Sequence, residues 1–148
     1  MKRTLTAIAA TLSLIGAPLM AETITQSSPK SVSATMDALQ AAVEGAGATV
    51  FARVNHAAGA ASVDMELADA ELLIFGNPRL GTPAMQADIH AGLQVPLRVL
   101  VYAGDDGTVV AYESVATMFD GLNVPLDAEF AKTMTGALAG LTGKAVAE

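Results

Sequence analysis

Two apolar, β-branched runs, Leu97–Tyr102 and Thr108–Glu113, stand on either side of the tetrapeptide Gly104-Asp105-Asp106-Gly107. Strand formers flanking such a turn are a strong short-range signal for a β-hairpin, because Gly and Asp reach the required backbone conformations at little cost. An antiparallel pair near the middle of the chain constrains everything else, since the other apolar runs must either extend that sheet or cover it. Thr23–Gln26, Thr49–Val54 and Glu71–Phe75 read as further strands, the last apolar without alternation, as in a strand buried on both faces. Between them, Val32, Met36, Leu39 and Val43 recur at helical spacing until Gly45 and Gly47 stop the run. Ala57–Val63 reads as a short helix. A further helix is expected from about Thr82, with Thr as cap and Pro83 in the first helical position, where its missing N–H would be unpaired anyway. After the hairpin come a short helix near Val115–Asp120, a turn at Asn123–Pro125 and a last helix from about Asp127 to Leu141, its buried stripe formed by Phe130, Met134, Leu138 and Leu141. The expected architecture is α+β: a single mostly antiparallel sheet of about five strands covered by helices.

The first residues follow a different grammar. Lys2 and Arg3 precede a mostly apolar stretch, Leu5–Ile15, and then the small or helix-breaking Gly16, Pro18 and Ala21. This is the three-part pattern of a secretory signal peptide, and the expected cleavage follows Ala21. The apolar stretch falls short of the roughly 20 residues a helix needs to cross a bilayer. No later stretch reaches that length, so the mature chain, residues 22–148, is expected to be one domain without a membrane span, periplasmic or secreted.

Composition removes several chemistries. With no Cys, the chain cannot build a thiol nucleophile, a thiolate metal site, an iron-sulfur cluster or a disulfide. The formal charge is −7, and losing Lys2 and Arg3 leaves 15 acids against 6 bases. That balance argues against nucleic acid as a partner, which demands clustered Lys or Arg.

The segment Gly76–Thr82, GNPRLGT, has the glycine spacing of a phosphate-binding loop but lacks the lysine that neutralises nucleotide phosphates, so nucleotide hydrolysis is rejected. What survives is a polar turn leading to a helix start, where backbone N–H groups near Pro83–Met85, with Asn77, Arg79 and Thr82, can hold a small anion or carboxylate. The plainer reading is a turn fixed by Gly and Pro with Arg79 in water. His56 and His90 are the two histidines, each without a second ligand three or four residues away. A copper or haem site using His56 and Met85 is the metal reading, and a solvated or hydrogen-bonded ring the bland one. Among acids, Asp64, Glu66, Asp69 and Glu71 alternate with apolar neighbours and read as a solvated edge, while Asp105 and Asp106 read as turn formers. Gly136 and Gly140 give the last helix a small-residue face suited to close contact, such as a dimer. No catalytic constellation is evident. The leading expectation is a non-enzymatic binding or interaction module with its site at His56, Asn77, Arg79, Thr82 and Met85, its cofactor undefined. The alternative is an enzyme in which His56 acts as general acid or base while Arg79 and loop amides bind an anionic substrate.

Three stretches, FARVNHAAGAA (51–61), AELLIFGNPRLGTPAMQ (70–86) and VPLRVLVYAGDDGTVVAYE (95–113), together resemble the bacterial and archaeal family known as domain of unknown function 302. The strand-turn-helix GNP-x-x-GTP carries most of that likeness, and the resemblance departs from common family patterns at Asn55 and Ala84. It implies a small α+β fold, a homodimer and no established biochemical activity.

Overall fold

The computed structural model describes residues 22–148; the expected signal peptide lies outside the described residues. Five strands form one sheet: β1 (Thr23–Ser28), β2 (Thr49–Asn55), β3 (Ala70–Gly76), β4 (Leu97–Gly104) and β5 (Gly107–Glu113), in the order β1-β5-β4-β3-β2. All four pairings are antiparallel. The expected hairpin joins β4 to β5, and Gly107 takes a φ of 121° at its turn, a conformation open to glycine.

Helices α1 (Val32–Gly45), α3 (Pro78–Ala87) and α5 (Glu129–Val146) cover the sheet, with the short α2 (His56–Ala61) and α4 (Val115–Met118) at its margins. Alternation in the strands decides which face they cover. Leu73 and Phe75 of β3, Leu97, Val99 and Val101 of β4, and Val110 and Tyr112 of β5 point one way and are buried. Met36, Leu39 and Val43 of α1 and Met134, Leu138 and Leu141 of α5 meet them, which is the stripe their spacing predicts. Along β1 the packing becomes polar and stays satisfied: Ser28 Oγ lies 2.7 Å from Thr35 Oγ1, and Gln26 Nε2 donates to Thr142 Oγ1 at 2.9 Å. The opposite face of the sheet carries Leu72, Ile74, Leu100 and Val109, half-buried, and no helix among the described residues covers it.

Three expectations are corrected. The helix after β3 begins at Pro78, not near Thr82: Asn77 is its cap, accepting a hydrogen bond from the Arg79 N–H at 2.9 Å, and Pro78 occupies the first helical position. Pro83 therefore lies inside α3. The last helix runs on to Val146 rather than stopping at Leu141, burying Thr142 and Ala145 as well. Glu71, expected on a solvated edge, is 7% exposed. Alternation in β3 places it on the helix-covered face with Leu73 and Phe75, and a bulge in β2 brings it a partner. Val50 pairs with Phe75 and Ala52 with Ile74, so Phe51 is the extra residue, and the strand's alternation is reset beyond it. Arg53, opposite Leu73, consequently turns to the helix-covered face, where its guanidinium reaches both Glu71 and Asp37 of α1.

Candidate functional site

The register of β2 against β3 decides which of the expected site residues can meet. Thr49 pairs with Gly76 and Asn55 with Glu71, so the turn that follows Gly76 lies beside the start of β2, while His56 follows its end. Six residue steps at about 3.3 Å place the imidazole about 20 Å from the turn. His56 is exposed on α2, a helix with no buried residue, capped by Asn55 through the Ala58 N–H at 2.8 Å. It stands at the end of the sheet that also carries Asp105 and Asp106. The structure therefore does not bring His56 together with Asn77, Arg79, Thr82 or Met85, and neither the histidine-methionine pair nor the histidine-arginine pair forms. Among the described residues, no three His, Cys, Asp or Glu side chains cluster as metal ligands would.

The anion cradle at the helix start is also absent as a geometry. The Arg79 N–H is taken by the Asn77 side chain, and the N–H groups of Leu80 and Gly81 both donate to the Asn77 carbonyl, at 2.9 and 3.1 Å. Pro78 and Pro83 have no N–H to offer. Thr82 and Met85, expected to frame the opening turn, lie well inside α3, where backbone donors are already committed to the helix. Arg79 is exposed and, among the described residues, makes no ion pair.

What the turn does frame is a pocket of about 230 Å³. Asn77, Leu80, Gly81, Thr82 and Met85 of the turn and α3 form one wall. The opposite wall comes from the bulged Phe51 of β2 and from Val95, Pro96 and Leu97 leading into β4, with Met134 of α5 closing the space. Three of the five expected residues, Asn77, Thr82 and Met85, line it; Arg79 and His56 do not. Two glycines make the room. A Cβ at Gly76 would sit 3.3 Å from the Pro96 Cβ and 3.5 Å from the Phe51 ring, and one at Gly81 would meet only Val95, at 3.6 Å. The lining is overwhelmingly apolar, its polar side chains being Asn77 and Thr82.

Among the described residues, one acid is strongly perturbed, and it lies just beyond α3. Asp88 caps a short 3-10 helix, Ile89–Leu93, that sequence periodicity does not reveal. Its carboxylate accepts from the Asn123 N–H at 3.1 Å and from the His90 N–H at 3.0 Å, and the His90 ring lies 2.9 Å away. These contacts, the Asn123 amide foremost, hold its carboxyl down at about 2. Asp88 thus fastens the segment after α3 to the loop before α5, and His90 is its exposed partner rather than a free ligand.

Phe51, Val95 and Met134 are pocket residues that sequence reasoning misses. Phe51 alone carried a signal, being a large apolar residue out of phase with a strand it belongs to, and 59% exposed in the fold.

Comparison with known proteins gives both structural and sequence relatives. The crystal structure of an uncharacterized conserved protein DUF302 from Bacillus stearothermophilus superposes with a TM-score of 0.75 over 83% of this chain and 97% of that one, at 15% identity, a likeness of fold. Residues matching the fluoride-specific ion channel FluC 1 of Brucella suis biovar 1 (strain 1330) are 40% identical over 86 positions, covering 58% of this chain and 34% of the channel. FluC 1 of Brucella abortus biovar 1 (strain 9-941) matches at 40% identity over 58% of this chain and 32% of its own length. The chain thus spans about a third of the length of these channel proteins, and among its own described residues no helix is long and apolar enough to cross a membrane. The model of the domain of unknown function DUF302 matches residues 24–141, most of the length of this chain, which belongs to that family.

Proposed function

We propose that this chain is an exported, non-enzymatic binding module whose site is the pocket beside the GNPRLGT turn. One observation carries the reading: a formed cavity of about 230 Å³ built by four separate segments around that turn, with Asn77, Thr82 and Met85 in its wall. The enzymatic alternative loses its geometry, because a general base at His56 and a cation at Arg79 stand too far apart to share one small substrate. Thermal melting with small organic ligands, anions, copper, zinc and haem tests the reading. Saturating ligand at about 100 times its dissociation constant should add about 2.7 kcal/mol of stability. If nothing shifts the melt, and substitutions in the pocket leave the cellular phenotype untouched, the reading fails. Export is tested by fractionation, with the mature N-terminus expected at Glu22.

The module is further proposed to work as a homodimer through the uncovered sheet face. Leu72, Leu100 and Ala111 line a shallow groove there, and Arg98 and Glu113 stand 4.0 Å apart at its border. A two-fold axis passing midway between the two would set each charge opposite its complement. Sedimentation should give a dimer, and Leu100→Lys a folded monomer; a monomeric wild type removes the proposal.

A second reading follows from the channel relatives. If the matched third of those proteins folds as this chain does, it is a water-facing domain joined to a fluoride-specific channel, and this chain serves fluoride handling at the membrane. A deletion strain should then grow less well than its parent in fluoride, and equal growth would remove this reading.

A further inference from the structure

The chemistry of the pocket wall goes further than its existence and rests on the reading of it as a binding site. Its walls are Phe51, Leu80, Met85, Val95, Pro96 and Met134, and no charged side chain lines it. Two thioethers and an aromatic edge are soft and adaptable, suited to hydrocarbon. A buried ion would find neither a counter-charge nor a free backbone donor, since the amides of the first turn of α3 are already used. The polar exception is specific. Asn77 spends its side-chain oxygen on the Arg79 N–H, which fixes the orientation of the amide and leaves its NH2 group without a partner among the described residues. Thr82 adds a hydroxyl at the same wall. The orientation of Asn77 is therefore set by the helix it caps, and the group left over is a donor.

We propose that the pocket takes an uncharged, single-tailed or single-ring organic molecule whose one polar group is a hydrogen-bond acceptor received by the Asn77 NH2. Size sets the scale. A dry cavity of about 150 Å³ holds benzene, and the same density in about 230 Å³ corresponds to about nine heavy atoms. Heptanamide and benzamide fit that description and serve as probes, with heptanoate and benzoate as their charged counterparts and inorganic phosphate, fluoride and copper as ionic controls.

The readout is the backbone amide spectrum of isotope-labelled protein, in which Gly76, Gly81 and Leu97 report on the pocket. Heptanamide or benzamide should shift these three signals in a saturable manner, and the carboxylates should do so more weakly. Two variants separate the site from the fold. Gly81→Leu grows a side chain from a position that touches only Val95 and lies within a helix, where Leu is a better helix former than Gly. It should melt no lower than wild type and bind at least about tenfold more weakly, equivalent to about 1.4 kcal/mol. Asn77→Asp keeps the capping oxygen and suits the helix N-terminus, but exchanges the donor for an acceptor. It too should stay folded and lose the amide probes. If ions shift the three signals and the neutral probes do not, the pocket is a site but its ligand class is wrong. If no probe shifts them, the binding reading fails with the class. Undiminished binding in folded Gly81→Leu or Asn77→Asp also overturns the proposal.

Discussion

Replacing Arg53 by Ala strands a buried carboxylate. The Glu71 side chain is 9% exposed and that of Arg53 28%, with the arginine Nε donating to Glu71 and its Nη1 to Asp37 at 2.6 Å. The guanidinium is held above its ordinary value, chiefly by the hydrogen bond to Glu71. Unit charges about 4 Å apart attract by about 4 kcal/mol at an effective dielectric near 20, and removing one member of a fully buried pair costs about 3–5 kcal/mol. Water reaches this arginine, so the cost falls to the bottom of that range or just below it, and Asp37, at 65% exposure, contributes at most about 0.5 kcal/mol. Arg53→Ala should therefore lose about 2–3 kcal/mol. Arg53→Met combined with Glu71→Leu should recover most of that, because neither charge is then left without a partner. Urea unfolding at pH 7 measures both, with unchanged slope and shifted midpoint. A variant within about 0.5 kcal/mol of wild type would refute the reasoning.

Asp88 predicts acid sensitivity. Its carboxyl is held at about 2 in the fold, against about 3.9 in an unfolded chain, so its stabilising contribution is present above the higher value and is lost as pH falls toward the lower one. Asp88→Asn should therefore lower the melting temperature at pH 7 and flatten its decline between pH 4 and pH 2; a variant that melts like wild type at pH 7 would show that the tie to Asn123 does nothing. Phe75, 1% exposed at the centre of the core, should cost about 3–5 kcal/mol when cut to Ala, and calorimetry giving less than about 1.5 kcal/mol would mean the core collapses around the gap.

The strands and α1 are legible in the sequence because local chemistry and tertiary packing agree there. Leu97–Tyr102 and Thr108–Glu113 fall within β4 and β5, and the three- and four-residue spacing of Met36, Leu39 and Val43 ends at Gly45 as α1 does. The start of α3 is misread because the chain offers two cap-and-proline pairs, Asn77-Pro78 and Thr82-Pro83, and local rules fit both. Tertiary structure chooses between them. β3 runs through Gly76, and the chain must turn at once to lay Ala84, fully buried, against the core. Glu71 is misread for a different reason: its partner Arg53 reaches it only because one residue of β2 is extra, and a bulge leaves no periodic trace.

The failed pairing of His56 with the turn follows from a rule the sequence does contain. In an antiparallel pair, the residue after one strand and the residue after the next stand at opposite ends, so His56 after β2 and Asn77 after β3 are kept apart whenever β2 and β3 are neighbours. The pocket itself is illegible because its walls come from segments brought together only by folding, Phe51, Asn77–Met85, Val95–Leu97 and Met134.

The bulge joins these two lessons, since it keeps Arg53 on the face of Glu71 in spite of the inserted Phe51, which itself supplies the aromatic wall of the pocket. Deleting Phe51 should separate them. Val50 and Arg53 already face the helices and Ala52 the open side, so removal of the extra residue leaves the alternation Val50-Ala52-Arg53 that an unbulged strand requires. Phe51 is 59% exposed, and its loss opens no hole in the core. The deletion variant should fold with the Arg53 to Glu71 ion pair in place, and Arg53→Ala should cost it as much as it costs wild type. Its pocket, open on the β2 side, should no longer hold benzamide. If the deletion instead unfolds the chain, or abolishes the effect of Arg53→Ala, the bulge is part of the register of the sheet, and the two roles assigned to Phe51 cannot be independent.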